Sequence, residues 1–167
     1  MEKAIILLGA NLGDRKANIE QAMAQMAQLG KLGSASRLFE AEPWGENKDQ
    51  PFYLNAAVEL LTDLKPLELL DALQKIEQSL GREKPVTHTG QHYEPRPIDA
   101  DILFYGSQII KDERLEVPHP LIAERAFVLV PLNDIASEFV HPVHKKPIKI
   151  LLRDCTDKAI VSPHEPL

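Results

Sequence analysis

The sequence predicts an α+β fold in which four strands and two helices follow one another in the order βαββαβ, with a C-terminal extension. Two segments carry apolar residues at helical spacing, and four short segments have the apolar or alternating pattern of strands. Turns that contain glycine or proline separate them. The 167 residues are the size of one domain. A chain of this size is expected to fold without a disulfide or a structural metal. Its 44% hydrophobic and 26% charged residues are typical of a soluble globular protein.

The first half of the predicted fold is a strand, a helix and a second strand. Lys3 to Gly9 is an almost continuous apolar run, which is typical of a strand buried on both faces. Apolar residues then recur at helical spacing from Ile19 to Leu29, and we expect Gly30 and Gly33 to end that helix. A second strand is predicted over Ser34 to Phe39.

The second half is a third strand, a second helix and a fourth strand. Tyr53 to Leu61 has the composition of a strand. Pro66 stands in the first turn of a helix whose apolar stripe ends at Gly81. Ile98 to Tyr105 is the fourth strand. This order is that of a ferredoxin-like sheet with both helices packed on one face.

The C-terminal extension carries weaker signals. Short strands are predicted around Gln108 to Ile110 and over Phe127 to Leu132, and a helix over Ile148 to Asp154. We interpret residues 1–157 as a single domain and expect residues 158–167 to fray.

Charge and cysteine content argue against several classes of protein. The formal net charge is −6, which disfavours binding to nucleic acid. Cys155 is the single cysteine, so an intrachain disulfide is impossible. Neither a membrane span of ~20 apolar residues nor a signal peptide is visible. We therefore expect a cytoplasmic protein that acts on small molecules, without nucleic acid or a membrane as partner. As a separate expectation, the chain acts as a monomer.

Asp99 and Asp101 are the strongest chemical signal. Residues two apart on a strand point to the same face, so Ile98, Ala100 and Ile102 would face the core. Two neighbouring carboxylates repel each other unless a cation lies beside them. Mg²⁺ takes one or two carboxylates and completes its shell with water and phosphate oxygens. The alternative is a solvated strand edge with arginine partners.

Basic side chains lie on both sides of this carboxylate pair in the sequence. Those before it are Arg82, Lys84 and Arg96, and those after it are Arg114, His119 and Arg125. A single guanidinium group can donate two parallel hydrogen bonds to two phosphate oxygens. Each of these residues alone is typical of an ordinary surface, but the whole set indicates a site for a metal and a polyphosphate.

Two further pairs could hold the rest of a ligand. Gln74 and Glu77 share a helix face and could bond a base or a ribose. Tyr53 and Asn55 share a strand face, where an aromatic ring and a carboxamide suit a heterocycle. The alternatives are a solvated helix face, and a core tyrosine beside an asparagine that caps the backbone.

Several stretches agree, in order, with the motifs of one enzyme family. They include LGANLGD at Leu8 to Asp14, QPFYLNAAVEL at Gln50 to Leu60, PRPIDADILFYG at Pro95 to Gly106 and ERAFVLVPL at Glu124 to Leu132. The chain thereby resembles the 6-hydroxymethyl-7,8-dihydropterin pyrophosphokinases of folate biosynthesis. The resemblance implies a ferredoxin-like fold and transfer of pyrophosphate from ATP, the co-substrate, to the hydroxymethyl group of the pterin, with release of AMP.

The resemblance also implies roles for individual residues. The catalytic residues would be two carboxylates that hold two Mg²⁺ ions and two loop arginines that embrace the phosphates, namely Asp99, Asp101, Arg82 and Arg96. The pterin would contact Pro43, Trp44, Tyr53, Asn55 and Phe127, with its ring between Tyr53 and Phe127. Four positions match the family's ATP contacts, namely Gln74, Glu77, His119 and Arg125. We also expect Arg114 to bind ATP.

Two other functions stay open on the residues alone. The two carboxylates could hold two metal ions that catalyse hydrolysis of a phosphodiester. The negative net charge and the missing catalytic base argue against this hypothesis. The chain could also be a ferredoxin-like sensor of a small molecule, in which Asp99 and Asp101 are only structural.

Overall fold

The computed structural model describes residues 1–42, 51–81 and 97–164. Its strands are β1 (Glu2–Ala10), β2 (Lys31–Ala35), β3 (Phe39–Ala41), β4 (Tyr53–Thr62), β5 (Asp99–Tyr105), β6 (Ile110–Lys111), β7 (Glu116–Val117) and β8 (Val161–Pro163). Its helices are α1 (Arg15–Met26), α2 (Pro66–Ser79), α3 (Ala126–Ala136) and α4 (Ile148–Asp154), with a 3-10 turn at Ile122–Glu124.

The main sheet is antiparallel and has the order β5-β1-β4-β3-β8. β2 also pairs with β4, towards the opposite end of that strand from β3. β2 and β3 together take the place of the predicted second strand, so the order is that of a ferredoxin-like sheet. The predicted fold class is confirmed.

The predicted second strand is two strands. The ladder between β2 and β4 shifts register after Leu32, and the chain then stays attached through Ser36. The backbone N–H of Ser36 donates to the carbonyl of Ala57 (2.8 Å), and its hydroxyl accepts from the Ala57 N–H (2.9 Å). Gly33 lies inside β2, so it does not end α1, which ends at Met26.

The core lies on both faces of the sheet. Ile6 and Leu8 of β1 pack with α1 and α2, while Ile5 and Leu7 point the other way, into a cluster with α3 and α4. The buried apolar run of β1 is thus confirmed. The two predicted helices do cover one face, but the C-terminal extension covers the other, which the sequence interpretation did not anticipate.

The strand predicted over Phe127 to Leu132 is wrong, because these residues belong to α3. A short apolar run does not distinguish a buried strand from a buried helix. Val128, Leu129 and Leu132 are all buried against the second cluster. Pro131 inside the run was a signal against a central strand. The predicted helix over Ile148 to Asp154 is confirmed.

The expectation that the last ten residues fray is also wrong for residues 161–164. β8 pairs with β3, and the backbone N–H of His164 donates to the carbonyl of Leu38 (2.8 Å). β8 satisfies backbone groups that β3 would otherwise leave open on its outer edge. Its Pro163 is tolerated because β8 is itself an edge strand. The predicted strand near Gln108 to Ile110 corresponds to β6, which pairs with β7.

Among the residues that the structure describes, no helix has the length and apolar character that a membrane crossing requires.

Candidate active site

Three neighbouring strands bring polar side chains together at one end of the sheet. Gly9 of β1 lies opposite Asn55 of β4 on one side and opposite Asp99 of β5 on the other. Two residues away along β1, Leu7 lies between Ala57 and Asp101. Directly opposed residues of an antiparallel pair point to the same face. Asn55, Asp99 and Asp101 therefore share the face on which α3 packs.

The two aspartates alternate with core residues, as predicted. Ile98, Ala100 and Ile102 are buried in the cluster with α1 and α2. Asp99 and Asp101 are half-buried on the other face. The irregularity in the pairing of β1 with β5 falls beyond them, between Ile5 and Ile6, so it leaves their alternation intact.

Gly9 provides the space in which the side chains of Asn55 and Tyr53 lie. A Cβ atom at this position would stand 2.8 Å from Asn55 Oδ1 and 3.7 Å from Tyr53 Cδ1. The first distance is shorter than carbon and oxygen tolerate, so a larger residue would displace the Asn55 carboxamide. The sequence interpretation missed this role, for which a glycine near the end of a strand was the signal.

Asn55 is buried with an unused hydrogen-bond donor. The residue is 2% exposed, and its Nδ2 has no hydrogen-bond partner among the described residues. A buried amide without a partner costs about 1–3 kcal/mol, and most such groups in native proteins are paired. An acceptor on a bound ligand would recover this cost.

Glu77 holds the strand that carries the aspartates. It is 6% exposed, and its Oε2 accepts a hydrogen bond from the backbone N–H of Ala100 (2.9 Å). Ala100 separates Asp99 from Asp101. The contact of Glu77 with ATP stays a prediction. In the structure its carboxylate bonds to the protein backbone.

Phe127 and Arg125 lie at the beginning of α3. Arg125 is the N-cap residue, and its guanidinium carbon is 5.6 Å from the centroid of the Phe127 ring. Phe127 is half-buried and packs against the second core cluster. α3 packs on β4, the strand that carries Tyr53 and Asn55, and the cluster against which Phe127 packs contains Ala57 of that strand.

Other predicted ATP contacts lie along the outer edge of β5 and on α2. The backbone N–H of His119 donates to the carbonyl of Leu103 (3.0 Å), which attaches this half-buried residue to β5. Arg114 forms an ion pair with Asp71 of α2, and the hydrogen bond within that pair raises the pKa of Arg114. Gln74 follows Asp71 by three residues on the same helix.

The described site residues thus form two groups that meet at β5. The group on the α3 face consists of Tyr53, Asn55, Asp99, Asp101, Arg125 and Phe127. The group on the α2 side and the outer edge consists of Gln74, Glu77, Arg114 and His119. Pro43, Trp44, Arg82 and Arg96 lie outside the described residues. The roles of all these residues stay predictions.

A set of contacts at the start of β4 was also missed by the sequence interpretation. Arg15 donates to the carbonyl of Phe52 (3.0 Å) and to Glu40 Oε1 (2.6 Å). The hydrogen bond from Arg15 holds the pKa of Glu40 below its usual range. Asn11 donates to the carbonyl of Pro51 (3.3 Å). These bonds fix the segment that leads into Tyr53.

The fold and the site define a ferredoxin-like α+β protein with a carboxylate pair and a buried carboxamide at one end of its sheet. Residues 5–137 match the model of the 7,8-dihydro-6-hydroxymethylpterin-pyrophosphokinase (HPPK) family. The chain belongs to this family, as the sequence resemblance indicated.

Known relatives are similar over most of this chain. It is 40% identical over 144 residues to the 2-amino-4-hydroxy-6-hydroxymethyldihydropteridine pyrophosphokinase of Haemophilus influenzae, covering 85% of this chain and 86% of that protein. It is 46% identical over 135 residues to the folate synthesis bifunctional protein of Arabidopsis thaliana, covering 80% of this chain. The chain spans only 27% of the length of that bifunctional relative.

A solved structure of wild-type HPPK-DHPS from Plasmodium falciparum with pteroate has the same fold. The TM-score is 0.70 at 18% sequence identity, over 91% of this chain and 42% of that one.

Proposed function

We propose that this chain is an ATP-dependent diphosphotransferase of folate biosynthesis. The hydroxymethyl oxygen of 6-hydroxymethyl-7,8-dihydropterin attacks the β-phosphorus of ATP. A new oxygen–phosphorus bond forms while the bond from that phosphorus to the α,β-bridging oxygen breaks. AMP leaves with the bridging oxygen, and the hydroxyl proton is released to water. Family membership supports the reaction. The observation in the fold that supports it best is Nδ2 of Asn55, which is buried and has no hydrogen-bond partner among the described residues.

The pterin would lie on the α3 face of the sheet. The carboxamide of Asn55 offers a donor and an acceptor to the edge of the heterocycle. Tyr53 stands on the same strand face, and Phe127 lies in the first turn of α3, which packs on β4. An aromatic slot of this kind binds a flat ring by stacking. Gly9 contributes by leaving room for the Asn55 carboxamide.

The residues at this end of the sheet fit Mg²⁺ that arrives with ATP. Across residues 1–42, 51–81 and 97–164, no cluster of three or more His, Cys, Asp or Glu could hold a metal ion. Two carboxylates alone suit Mg²⁺, whose shell is usually completed by water and phosphate oxygens. Asp99 and Asp101 would hold two such ions. Their chemistry, when bound, is to neutralise the charge of the triphosphate.

The protein's own contribution is positioning. Pyrophosphoryl transfer needs aligned reactants and neutralised phosphate charge, and it needs little covalent chemistry from side chains. Arg82 and Arg96 would embrace the phosphates, and Gln74 and Glu77 would lie towards the base or ribose. The other expected ATP contacts are Arg114, His119 and Arg125. We propose that residues 1–157 act as one pyrophosphokinase domain, as a cytoplasmic monomer.

The two alternative functions receive no support from the described residues, and family membership favours the kinase over both. A two-metal hydrolase would cleave a phosphodiester without ATP. A sensor would bind its ligand without turnover.

Quantifying AMP release from Mg·ATP, with and without the hydroxymethyl dihydropterin, tests the proposal. We expect one AMP for each pterin consumed, and no AMP with a 6-methyl dihydropterin, which lacks the attacking oxygen. Formation of ADP, or release of AMP that does not depend on pterin, would contradict it. Cleavage of nucleic acid without ATP would indicate the hydrolase, and pterin binding without turnover would indicate the sensor.

A further inference from the structure

The beginning of α3 is capped by a residue from the far end of the chain. The N-cap residue Arg125 makes no side-chain capping bond. Instead, Oδ2 of Asp157 accepts a hydrogen bond from the backbone N–H of Ala126 (2.9 Å). The first backbone N–H groups of a helix lack partners within the helix, and a carboxylate placed there also suits the positive end of the helix dipole.

The Asp157 carboxylate is itself held in place. Its other oxygen, Oδ1, accepts from the backbone N–H of Ala159 (2.9 Å). The next residue, Ile160, donates its N–H to Glu42 Oε1 (2.8 Å). Asp157 is therefore fixed between the first turn of α3 and the segment that leads into β8.

β8 attaches this segment to the strands of the site. Its Pro163 lies opposite Phe39 of β3, and Phe39 in turn lies opposite Asn55 of β4. Beyond the strand, Nδ1 of His164 lies 3.3 Å from Glu40 Oε1. We refer to residues 157–164 as the strap, since they connect the first turn of α3 to β3.

The strap links the two walls between which the pterin is proposed to lie, and it reaches the second wall through β3, which pairs with β4. One wall is the first turn of α3, with Phe127, and the other is β4, with Tyr53 and Asn55. We infer that Asp157 is a positioning residue for the pterin site, because it fixes the first turn of α3 relative to β4. The inference rests on the proposed function. Asp157 lies beyond residues 5–137, the part of the chain that the family model matches.

The test compares Asp157→Ala with a matched control in the full chain. The affinity for 6-hydroxymethyl-7,8-dihydropterin is measured without ATP, by fluorescence titration well below the unfolding temperature. Loss of a hydrogen bond to a charged acceptor that orders the wall is expected to raise Kd about tenfold. KM for the pterin is expected to rise in parallel, while kcat at saturation changes less.

Asp154→Ala is the control. Asp154 is exposed at the end of α4, and its carboxylate pairs with the adjacent Arg153 (3.0 Å). Its removal is expected to change Kd by no more than about twofold. Asp157→Asn keeps one acceptor oxygen and is expected to lie between wild type and Asp157→Ala.

The outcomes separate the inference from the proposed function. If Asp157→Ala lowers only the melting temperature and keeps the wild-type Kd, Asp157 is a structural cap and the inference is wrong. If Asp157→Ala does not fold, Asp157→Asn decides, and a Kd equal to that of Asp154→Ala overturns the inference. A wild-type chain that binds pterin without releasing AMP contradicts the proposed function alone.

Discussion

The buried carboxylate of Glu77 accepts a hydrogen bond from the backbone N–H of Ala100, with 2.9 Å between Oε2 and the nitrogen. Ala100 stands between Asp99 and Asp101, so α2 is tied to β5 where the two proposed metal ligands leave the strand. β5 is the last strand at its end of the main sheet. The bond to Glu77 thus satisfies a backbone donor at an edge of the sheet.

Glu77→Ala is expected to destabilise the protein and to weaken the binding of Mg·ATP. The Ala100 N–H would lose its partner in a buried place, which costs about 1–3 kcal/mol of the free energy of unfolding. Urea denaturation measures that loss, and titration with a Mg·ATP analogue measures binding. Glu20→Ala, which removes an exposed carboxylate paired with Lys16, serves as the control. Unchanged stability in Glu77→Ala would show that the hydrogen bond contributes nothing.

Asn55→Ala is expected to weaken pterin binding much more than it weakens the fold. Because Nδ2 has no partner among the described residues, the unliganded protein loses little when it is removed. A ligand that uses this donor would lose about 1–3 kcal/mol, which is roughly a five- to 150-fold rise in Kd. Fluorescence titration and urea denaturation measure the two effects. A large loss of stability with an unchanged Kd would instead support the reading of Asn55 as a structural cap.

Asp101→Ala is expected to abolish turnover while the protein stays folded. Asp101 is half-buried beside Leu7, and its removal leaves the apolar side of β5 in place. The measurement is AMP release over a range of Mg²⁺ concentrations, with circular dichroism as the check on folding. Glu116→Ala, on the exposed face of β7, is the matched control. Retained turnover in Asp101→Ala would remove the proposed metal role.

His141 is expected to make stability depend on pH. It is 3% exposed, and its Nδ1 accepts from the backbone N–H groups of Val143 and His144, both at 3.1 Å. Burial, and to a lesser degree the charge of His144, lower the pKa of His141 from 6.5 to about 4.

The sign follows from this depression of the pKa. Between pH 6.5 and about 4 the unfolded chain binds a proton that folded His141 does not, so stability falls as the pH is lowered. The steepest slope for one such group is about 1.4 kcal/mol per pH unit. Asn in place of His141 keeps an acceptor and does not titrate, so His141→Asn is expected to show a flatter curve in urea denaturation between pH 7 and 4.5. Parallel curves for both proteins would contradict the assignment.

The sequence alone determined the elements whose signals are local. The apolar run of β1, the alternation along β5 and the helical spacing of α2 are fixed by which residues follow one another, and the structure has all three. The same alternation placed Asp99 and Asp101 on one face. The order of these elements was enough for the fold class, because short connections leave few ways to arrange them.

Tertiary structure decided what depends on partners far along the chain. Whether residues 127–132 form a helix was set by the sheet face on which α3 packs, since a short apolar run satisfies either structure. Asp157 became the cap of α3 because folding brought together residues 31 apart in sequence. Gly9 matters because Asn55 lies on the neighbouring strand, at a distance that is set by strand pairing and not by the residues around Gly9.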